Sequence, residues 1–386
     1  MILDMPVRAY PWGSTTLIPR MRGVPPTGEP QAELWAGAHP DAPATVAVEG
    51  RRRSLADVIA DDPDRMLGAS VAERFGGQLP YLLKVLAIER PLSIQVHPST
   101  SEAEEGYARE DADGVPLDAP ERNYRDRSAK PEMLVALSDV RALVGFRPPT
   151  EAAETIAGLG ADGIADAVEA LRTGGEVALE AVVRHWLRLP DAEVAELAAE
   201  VTKAAVGADG EPAALVGELG RRYPGDRGIL LALLLNDIRL APGEAVFLGP
   251  GVPHAYLSGL AVEAQASSNN TLRAGLTSKH VDAGEVLRLL RYGSAPGKIG
   301  GTAHRERVVR YDPGAAEFVL DRVALGDPVP SDLRGPRIVL CTDGAAAVTA
   351  GETVQLPSGG AAFCSDAAGA LTIAGHGTAF VVAPAQ

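Results

Sequence analysis

The sequence predicts a mainly β protein interrupted by a helical insertion. Three observations predict it. Short apolar runs broken by Gly and Pro fill residues 1–149 and 238–299. Between them, residues 150–237 are rich in Ala, Leu and Glu and carry a helical repeat of apolar positions. From 300 to 386, β-prone runs recur about every 8–12 residues, as in a small antiparallel sandwich or jelly roll. A chain of 386 residues has room for two or three domains, and its 46% hydrophobic content excludes general disorder. The expected organisation is one β domain from 1–149 and 238–299, a helical insertion domain at 150–237, and a C-terminal β domain at 300–386.

Within the first segment, residues 82–88 form a strong strand candidate and 93–96 a shorter one, with Glu89-Arg90-Pro91 as the turn between. Residues 101–127 are polar and charged and read as a long excursion or flap. In the second segment, Ile164, Val168 and Leu171 follow a helical spacing. So do Leu179, Val182, Val183 and Trp186, and again Val194, Leu197, Ala198 and Val201. Gly174-Gly175 and Leu189-Pro190 punctuate this block into short helices. After it, residues 245–248 form a strand candidate between Pro242-Gly243 and Gly249-Pro250-Gly251. Six short strands are expected at the end, at 337–341, 346–349, 353–356, 361–364, 370–373 and 379–382.

The formal net charge is −15, which argues against nonspecific nucleic-acid binding. An anionic substrate would need a local basic pocket on this acidic protein. No apolar run reaches the ~20 residues of a bilayer span, and residues 1–10 lack a basic start and an apolar core. The two cysteines, Cys341 and Cys364, make neither a disulfide framework nor a thiolate zinc site. A cytoplasmic monomer with no nucleic-acid or membrane partner is the expectation.

Three stretches carry candidate chemistry. In Ser93-Ile94-Gln95-Val96-His97-Pro98, a strand would turn Gln95 and His97 to one face, towards a barrel mouth or towards solvent. In Lys130-Pro131-Glu132-Met133, an acid sits at the entrance to the apolar run 134–137. In the stretch 243–254, a glycine-rich turn presents His254 at a strand start. This last partly matches the cupin motif G-x5-P-x-G-x2-H-x3-N, with Gly249 in the Pro position and Ser258 in the Asn position. Each taken alone is equally a surface charge or a hydrogen-bonded histidine. Jointly, Gln95, His97, Glu132 and His254 offer two nitrogens and two oxygens, a donor set suited to zinc with a position left open.

With these motifs in this order, the sequence resembles the type I mannose-6-phosphate isomerases of the cupin superfamily. Tyr10-Pro11-Trp12-Gly13-Ser14, Glu33-Leu34-Trp35-Ala36-Gly37, Val144-Gly145-Phe146-Arg147-Pro148 and the segment Leu272-Arg273-Ala274-Gly275-Leu276-Thr277-Ser278-Lys279-His280 extend the resemblance over most of the chain. It implies a cupin jelly-roll catalytic domain, a helical insertion and a second β domain. It also implies one zinc ion per chain, bound by Gln95, His97, Glu132 and His254, and a small-molecule sugar phosphate as substrate. The implied reaction interconverts mannose 6-phosphate and fructose 6-phosphate through an enediol, in carbohydrate metabolism that leads to GDP-mannose.

By the same resemblance Arg273 is a catalytic group, Glu263 and Tyr256 match pocket residues, and Ser93, Lys84 and Lys279 lie in or near the phosphate end. Lys130, two residues before Glu132 on an extended segment, shares its face and could act as acid or base. Lys84, Arg273 and Lys279 are the local basic pocket that the acidic total charge demands. Trp12 is a pocket wall. His39, His185, His280, His304 and His376 are left without a role.

Two departures from the family pattern stand out. Ala129 occupies the position of a usual His before Lys-Pro-Glu, and Asn269 that of the usual Asp in Ser-Asp-Asn. Neither residue can carry a proton. Proton transfer would then run through Lys130, Glu263 or water, or the chain would act on another sugar phosphate. A non-catalytic zinc- and sugar-phosphate-binding cupin and an iron-dependent cupin oxygenase are the competing readings. The Gln ligand and the basic pocket argue against the oxygenase.

Overall fold

Alternation along buried strands sets the architecture. The structure is a computed structural model and describes residues 1–293 and 297–386. The strand Tyr81–Ile88 is buried along its whole length. Its side chains divide by parity, with Leu83, Val85 and Ala87 in one core and Leu86 and Ile88 in another. The strand Glu132–Ala136 divides the same way, Met133 and Val135 facing the first core and Leu134 and Ala136 the second.

The strand His254–Ala266 joins two walls of an eleven-stranded sheet. Its early residues pair with Val140–Phe146 and Ile94–Val96, and from Gly259 onward it pairs with Tyr81–Ile88 and Glu132–Ala136. The change of partner falls at a bulge between Tyr256 and Ser258, next to Gly259 at φ 119°. A Cβ on Gly259 would meet the Asp139 carbonyl oxygen at 2.6 Å, so only glycine fits this corner. Between the walls lies an apolar interior of Leu86, Leu134, Ala142, Val144, Val246 and Ala261. This is the cupin jelly roll the sequence predicts.

The two outer faces are covered differently. Over one wall, Leu143, Phe146, Ala255 and Leu257 share a core with Ile164, Leu171, Val183 and Trp186 of the helical block. Over the other, Val85, Met133 and Val262 share a core with Phe318, Ile338, Phe363 and Phe380 of a nine-stranded C-terminal sheet. That sheet keeps a further core of its own around Val339, Val348 and Val381. The first strand, Ile2–Leu3, belongs to the C-terminal sheet, paired with Ala361–Cys364.

Three sequence expectations are corrected. The helical block comprises Pro149–Ala157, Ala165–Arg188, Asp191–Val206, Glu211–Arg222 and Gly228–Leu234, and stops before 237 because Leu235–Leu240 pairs with Val140–Phe146. Gly175, at φ 59°, kinks the long second helix, and Leu189 and Pro190 end it. Residues 101–127 are no loose flap. The helix Thr100–Ala112 starts there on a Ser99–Glu102 capping box. The rest folds beneath it, with buried Arg122 bridging Glu110 at 3.0 Å and Asp111 at 2.8 Å. Finally, the six terminal runs make four strands. Residues 337–341 and 346–349 both lie in Arg337–Ala350, and 370–373 and 379–382 fall on Leu371–Ala383.

Candidate metal centre

The second core turns polar at one end. On Tyr81–Ile88 the residue before Leu86 on its face is Lys84. On Glu132–Ala136 the residue before Leu134 is Glu132, and on His254–Ala266 Glu263 and Gln265 follow Ala261. All four are at least 93% buried. Strand parity thus carries charged side chains into the mouth of an otherwise apolar barrel.

His97, Glu132 and His254 offer ligand atoms that all lie within 4.8 Å of one another. His97 Nε2 is 3.3 Å from Glu132 Oε1, and His254 Nε2 is 3.5 Å from Glu132 Oε2. Each imidazole is oriented from behind, His97 Nδ1 by the Asn270 carbonyl at 2.8 Å and His254 Nδ1 by the Val252 carbonyl at 3.0 Å. Donation to those carbonyls leaves both Nε2 atoms as acceptors aimed at Glu132. Buried His97 Nε2 has no hydrogen-bond partner. An orphaned acceptor beside a carboxylate and a second acceptor is what a divalent cation would satisfy, so these residues fit zinc.

Gln95 lies opposite His254 in register and also opposite Arg273. Its amide nitrogen donates to Ser93 Oγ at 3.1 Å, which leaves its carbonyl oxygen as a fourth donor on the cavity wall. Burial opposes the charged form of Glu132, but Lys130 and the two histidines hold its carboxyl well below the usual range. Lys130 Nζ sits 3.0 Å from Glu132 Oε1 and 3.0 Å from Thr271 Oγ1, on the shared face the extended segment predicts. Burial, aided by Lys130, lowers His97 to about 4, so its ring is the neutral form a metal requires.

A cavity of about 1240 Å³ opens over this cluster. Trp12 stacks on Tyr10 in its wall, at 5.9 Å between ring centroids. Tyr256 donates to Glu263 Oε1 at 3.0 Å. Burial and the nearby Glu132 push the Glu263 carboxyl up to about 7, against the pull of Lys84. Lys84 is spoken for: its Nζ lies 2.5 Å from Gln265 Oε1, 3.3 Å from Glu263 Oε2 and 3.9 Å from Glu33 Oε2. Burial works against its charge, but Glu33, Glu263 and Glu132 raise its pKa above the ordinary lysine value.

Arg273 and Lys279 line the same cavity, and among the described residues neither has a carboxylate partner. Burial and Arg125 lower the pKa of Arg273; Arg273, burial and Arg125 lower that of Lys279. Cations that depress one another without a counter-charge mark where an anion would sit.

The structure brings every expected site residue to this one cavity or its floor. It adds four to which the sequence reading gave no role. Arg125, from the supposed flap, faces the cavity with its backbone N–H held by Asn270 Oδ1 at 2.8 Å. Glu33 receives the Trp35 indole N–H. His39, left unassigned, is buried in the cavity wall, and His280 lines it too. Glu33 opens the quoted Glu-Leu-Trp-Ala-Gly run and His39 lies two residues beyond it, and that neighbourhood was the available signal. Asn269 donates its backbone N–H to Asp126 Oδ2 at 2.7 Å and its amide to Asp41 Oδ1 at 3.4 Å. A carboxylate at 269 would face both acids. Ala129 is buried and small, and brings no proton carrier.

Comparison with known proteins agrees with this geometry. Residues 1–149 match the family model for the phosphomannose isomerase type I catalytic domain. The mannose-6-phosphate isomerase of Escherichia coli K12 is 35% identical, with 96% of each chain covered. The Bos taurus mannose-6-phosphate isomerase is 33% identical over 86% of this chain and 84% of its own. Among solved structures, a lysine-to-alanine variant of phosphomannose isomerase from Salmonella typhimurium superposes with a TM-score of 0.93 at 32% identity, covering 100% of this chain and 99% of the other. A zinc-bound mannose 6-phosphate isomerase superposes with a TM-score of 0.92 at 32% identity and the same coverage. With relatives this similar along nearly its whole length, the chain belongs to the type I phosphomannose isomerase family.

Proposed function

We propose that this protein is a zinc-dependent isomerase that interconverts mannose 6-phosphate and fructose 6-phosphate through an enediol. The observation that carries the proposal is one cavity holding both the buried His97–Glu132–His254 cluster and the unpaired cations Arg273 and Lys279. Gln95, His97, Glu132 and His254 would hold the ion. Zinc supplies Lewis acidity toward the sugar oxygens when bound.

The remaining roles fall to the chain's own groups. Glu263 is assigned as the base. Its buried carboxylate, in the floor of the cavity, takes the C2 proton of the open-chain aldose and returns it at C1. The C2–H electron pair becomes the C1–C2 double bond of the enediol as the carbonyl pair moves onto O1, which takes a proton. O2 then gives up its proton, its O–H pair becomes the C2=O2 bond, and the C1–C2 double-bond pair takes the returned proton at C1 to give the ketose. Tyr256 steadies the Glu263 carboxyl through its 3.0 Å hydrogen bond. Lys84 neutralises the Glu263–Glu33 side of the floor, and Lys130 orients Glu132 and is in position to carry a proton to a sugar oxygen. Arg273 adds fixed positive charge as the enediolate develops. The phosphate is assigned to Lys279 and Ser93, with Arg125 as a further cation and Arg273 shared between the two ends. Trp12 walls the sugar in. No step uses position 129 or 269.

The division into 1–149 with 238–299, 150–237 and 300–386 is kept in outline, with the second boundary moved back to 234. The core confined to the C-terminal sheet supports the last unit, while the helical block packs on the jelly roll in a shared core. A working unit of one chain is proposed with it, supported by a cavity whose described lining comes from this chain. No helix among the described residues is long and apolar enough to cross a membrane. A cytoplasmic setting is proposed with this, and the buried, unpaired Cys341 and Cys364 accord with it.

The test follows mannose 6-phosphate conversion by protein stripped with a chelator and then restored with zinc. Turnover is expected to vanish and return with the metal. No turnover by folded, zinc-loaded protein would overturn the assignment and favour another sugar phosphate or a binding role.

A further inference from the structure

One buried titratable side chain in the cavity has no part in the scheme above. His39 is 2% exposed and stands in the cavity wall. Its ring meets the Trp35 indole edge-on, with centroids 5.1 Å apart, and Lys84 Nζ lies 5.0 Å from the centroid of the same indole. His39 therefore belongs to the floor shared by Lys84, Glu33 and Glu263, the end of the cavity that holds the metal ligands. Its Nδ1 accepts the backbone N–H of Asp41 at 3.2 Å. An Nδ1 that accepts puts the ring proton on Nε2. Among the described residues Nε2 has no protein partner, and it is not sealed away from the cavity. The turn that fixes the ring is fastened from the far side, where the Asn269 amide donates to the Asp41 carboxylate at 3.4 Å.

We propose that His39 is a sugar-contacting residue that donates its Nε2–H to a substrate oxygen at the metal end of the cavity, with the Asp41 turn setting the tautomer. The donor is aimed where negative charge develops on the enediol oxygens, and it gives a hydrogen bond without giving up its proton. A neutral imidazole is suited to this task, because it polarises an oxygen and stays in one protonation state through the cycle. The surroundings favour that state. Burial lowers His39 to about 4, with Lys84, Lys130 and Arg8 pushing the same way and Asp41 opposing. This rests on the isomerase reading for the identity of the substrate, but the contact can be tested apart from it.

The test has two arms. In the first, H39N and H39Q are compared with the wild type for kcat, KM and zinc content. The Asn amide reaches only the Nδ1 position, whereas the Gln amide reaches Nε2. H39N is expected to keep its zinc and its KM while kcat falls about 10²-fold, as when one oxyanion donor is removed. H39Q is expected to recover about tenfold of that loss. An H39N kcat within about threefold of wild type, or a loss that merely follows zinc content, overturns the proposal. In the second arm, ¹⁵N NMR of the wild type reads the His39 ring with and without a hexitol 6-phosphate, which binds but cannot isomerise. The expected result is an Nε2–H tautomer that does not titrate near the ordinary imidazole value of about 6.5, with Nε2–H perturbed on saturation. An Nδ1–H tautomer, or no perturbation, overturns it even if H39N fails to fold. Wild type that perturbs Nε2–H but does not turn over mannose 6-phosphate sinks the isomerase reading and leaves the contact standing. Turnover without perturbation sinks the contact alone.

Discussion

The jelly roll and the C-terminal sheet are both antiparallel and both bury charge, but they leave it in different states. In the C-terminal sheet Arg337 is 1% exposed and gives its two terminal nitrogens to the carbonyls of Gly369 at 2.8 Å and Ser365 at 2.9 Å, while its Nε has no partner among the described residues. Nearby, Arg310 is matched by Asp321 at 2.7 Å. In the jelly roll, among the described residues, half-buried Arg273 and exposed Lys279 have no carboxylate, and buried His97 Nε2 has no partner. Buried polar groups are nearly always satisfied within the protein. What sets the jelly roll apart is that its orphaned ring nitrogen stands with a carboxylate and a second imidazole that line a cavity, which points to a partner from outside; the Nε of Arg337 stands alone. By that criterion one β unit is built to bind and the other to hold the first in place.

The widest separation between the two units comes from Glu263. E263Q should lower kcat by about 10²–10⁴ while leaving zinc content and unfolding midpoint near wild type. Its pH dependence sharpens the point. The wild-type base works when deprotonated, so activity should rise with pH through its pKa. That carboxyl lies at about 7 in the metal-free chain, and a bound cation draws it down towards the ordinary value of about 4.3. E263Q should lack this acid limb; a mutant that keeps it would assign the limb to another group.

Next comes the opposite pattern. R337A removes a buried cation from the C-terminal sheet and strands the carbonyls it served. It should cost on the order of 3 kcal/mol in urea unfolding with kcat per folded molecule unchanged. A kinetic defect in soluble, folded R337A would break the division of labour.

The smallest effect belongs to the surface network of Asp332 with His304, Arg305 and Arg310. Burial works against the Asp332 carboxylate, but hydrogen bonds from the His304 ring and the Arg310 and Arg305 guanidiniums hold its pKa below the usual range. A depressed carboxylate stabilises above its unfolded value of about 3.9 and loses that contribution as pH falls through the folded value. D332N should therefore cost no more than about 1 kcal/mol near neutrality, and its melting curve should converge with wild type in acid. A cost that persists in acid would indicate a packing role instead.

The candidate metal cluster was legible because strand alternation and motif spacing are local. Gln95 with His97, and Lys130 with Glu132, are each fixed by a period of two. The helix Thr100–Ala112 was not legible. It buries Ala103, Gly106 and Glu110, so no apolar stripe marks it, and Gly106 is needed because a Cβ there would meet the Tyr124 ring at 2.3 Å. The long terminal strands read as pieces because Gly344, Gly375 and Gly377 interrupt their β-prone runs. All three have positive φ and leave the Arg337–Ala350 and Leu371–Ala383 pairing continuous across them apart from one register shift. His39 stayed without a role because its meaning depends on Trp35, Asp41 and the distant Asn269, contacts that no periodicity encodes.

The strand Ile2–Leu3 has a consequence in time. Its partners, Ala361 and Ala362, lie some 360 positions along the chain. At ribosomal rates of about 5–20 residues per second, the second half of that pairing is made on the order of half a minute after the first. Until then Ile2 and Leu3 of a nascent chain have no strand to join, so this stitch of the fold ties together residues made far apart in time.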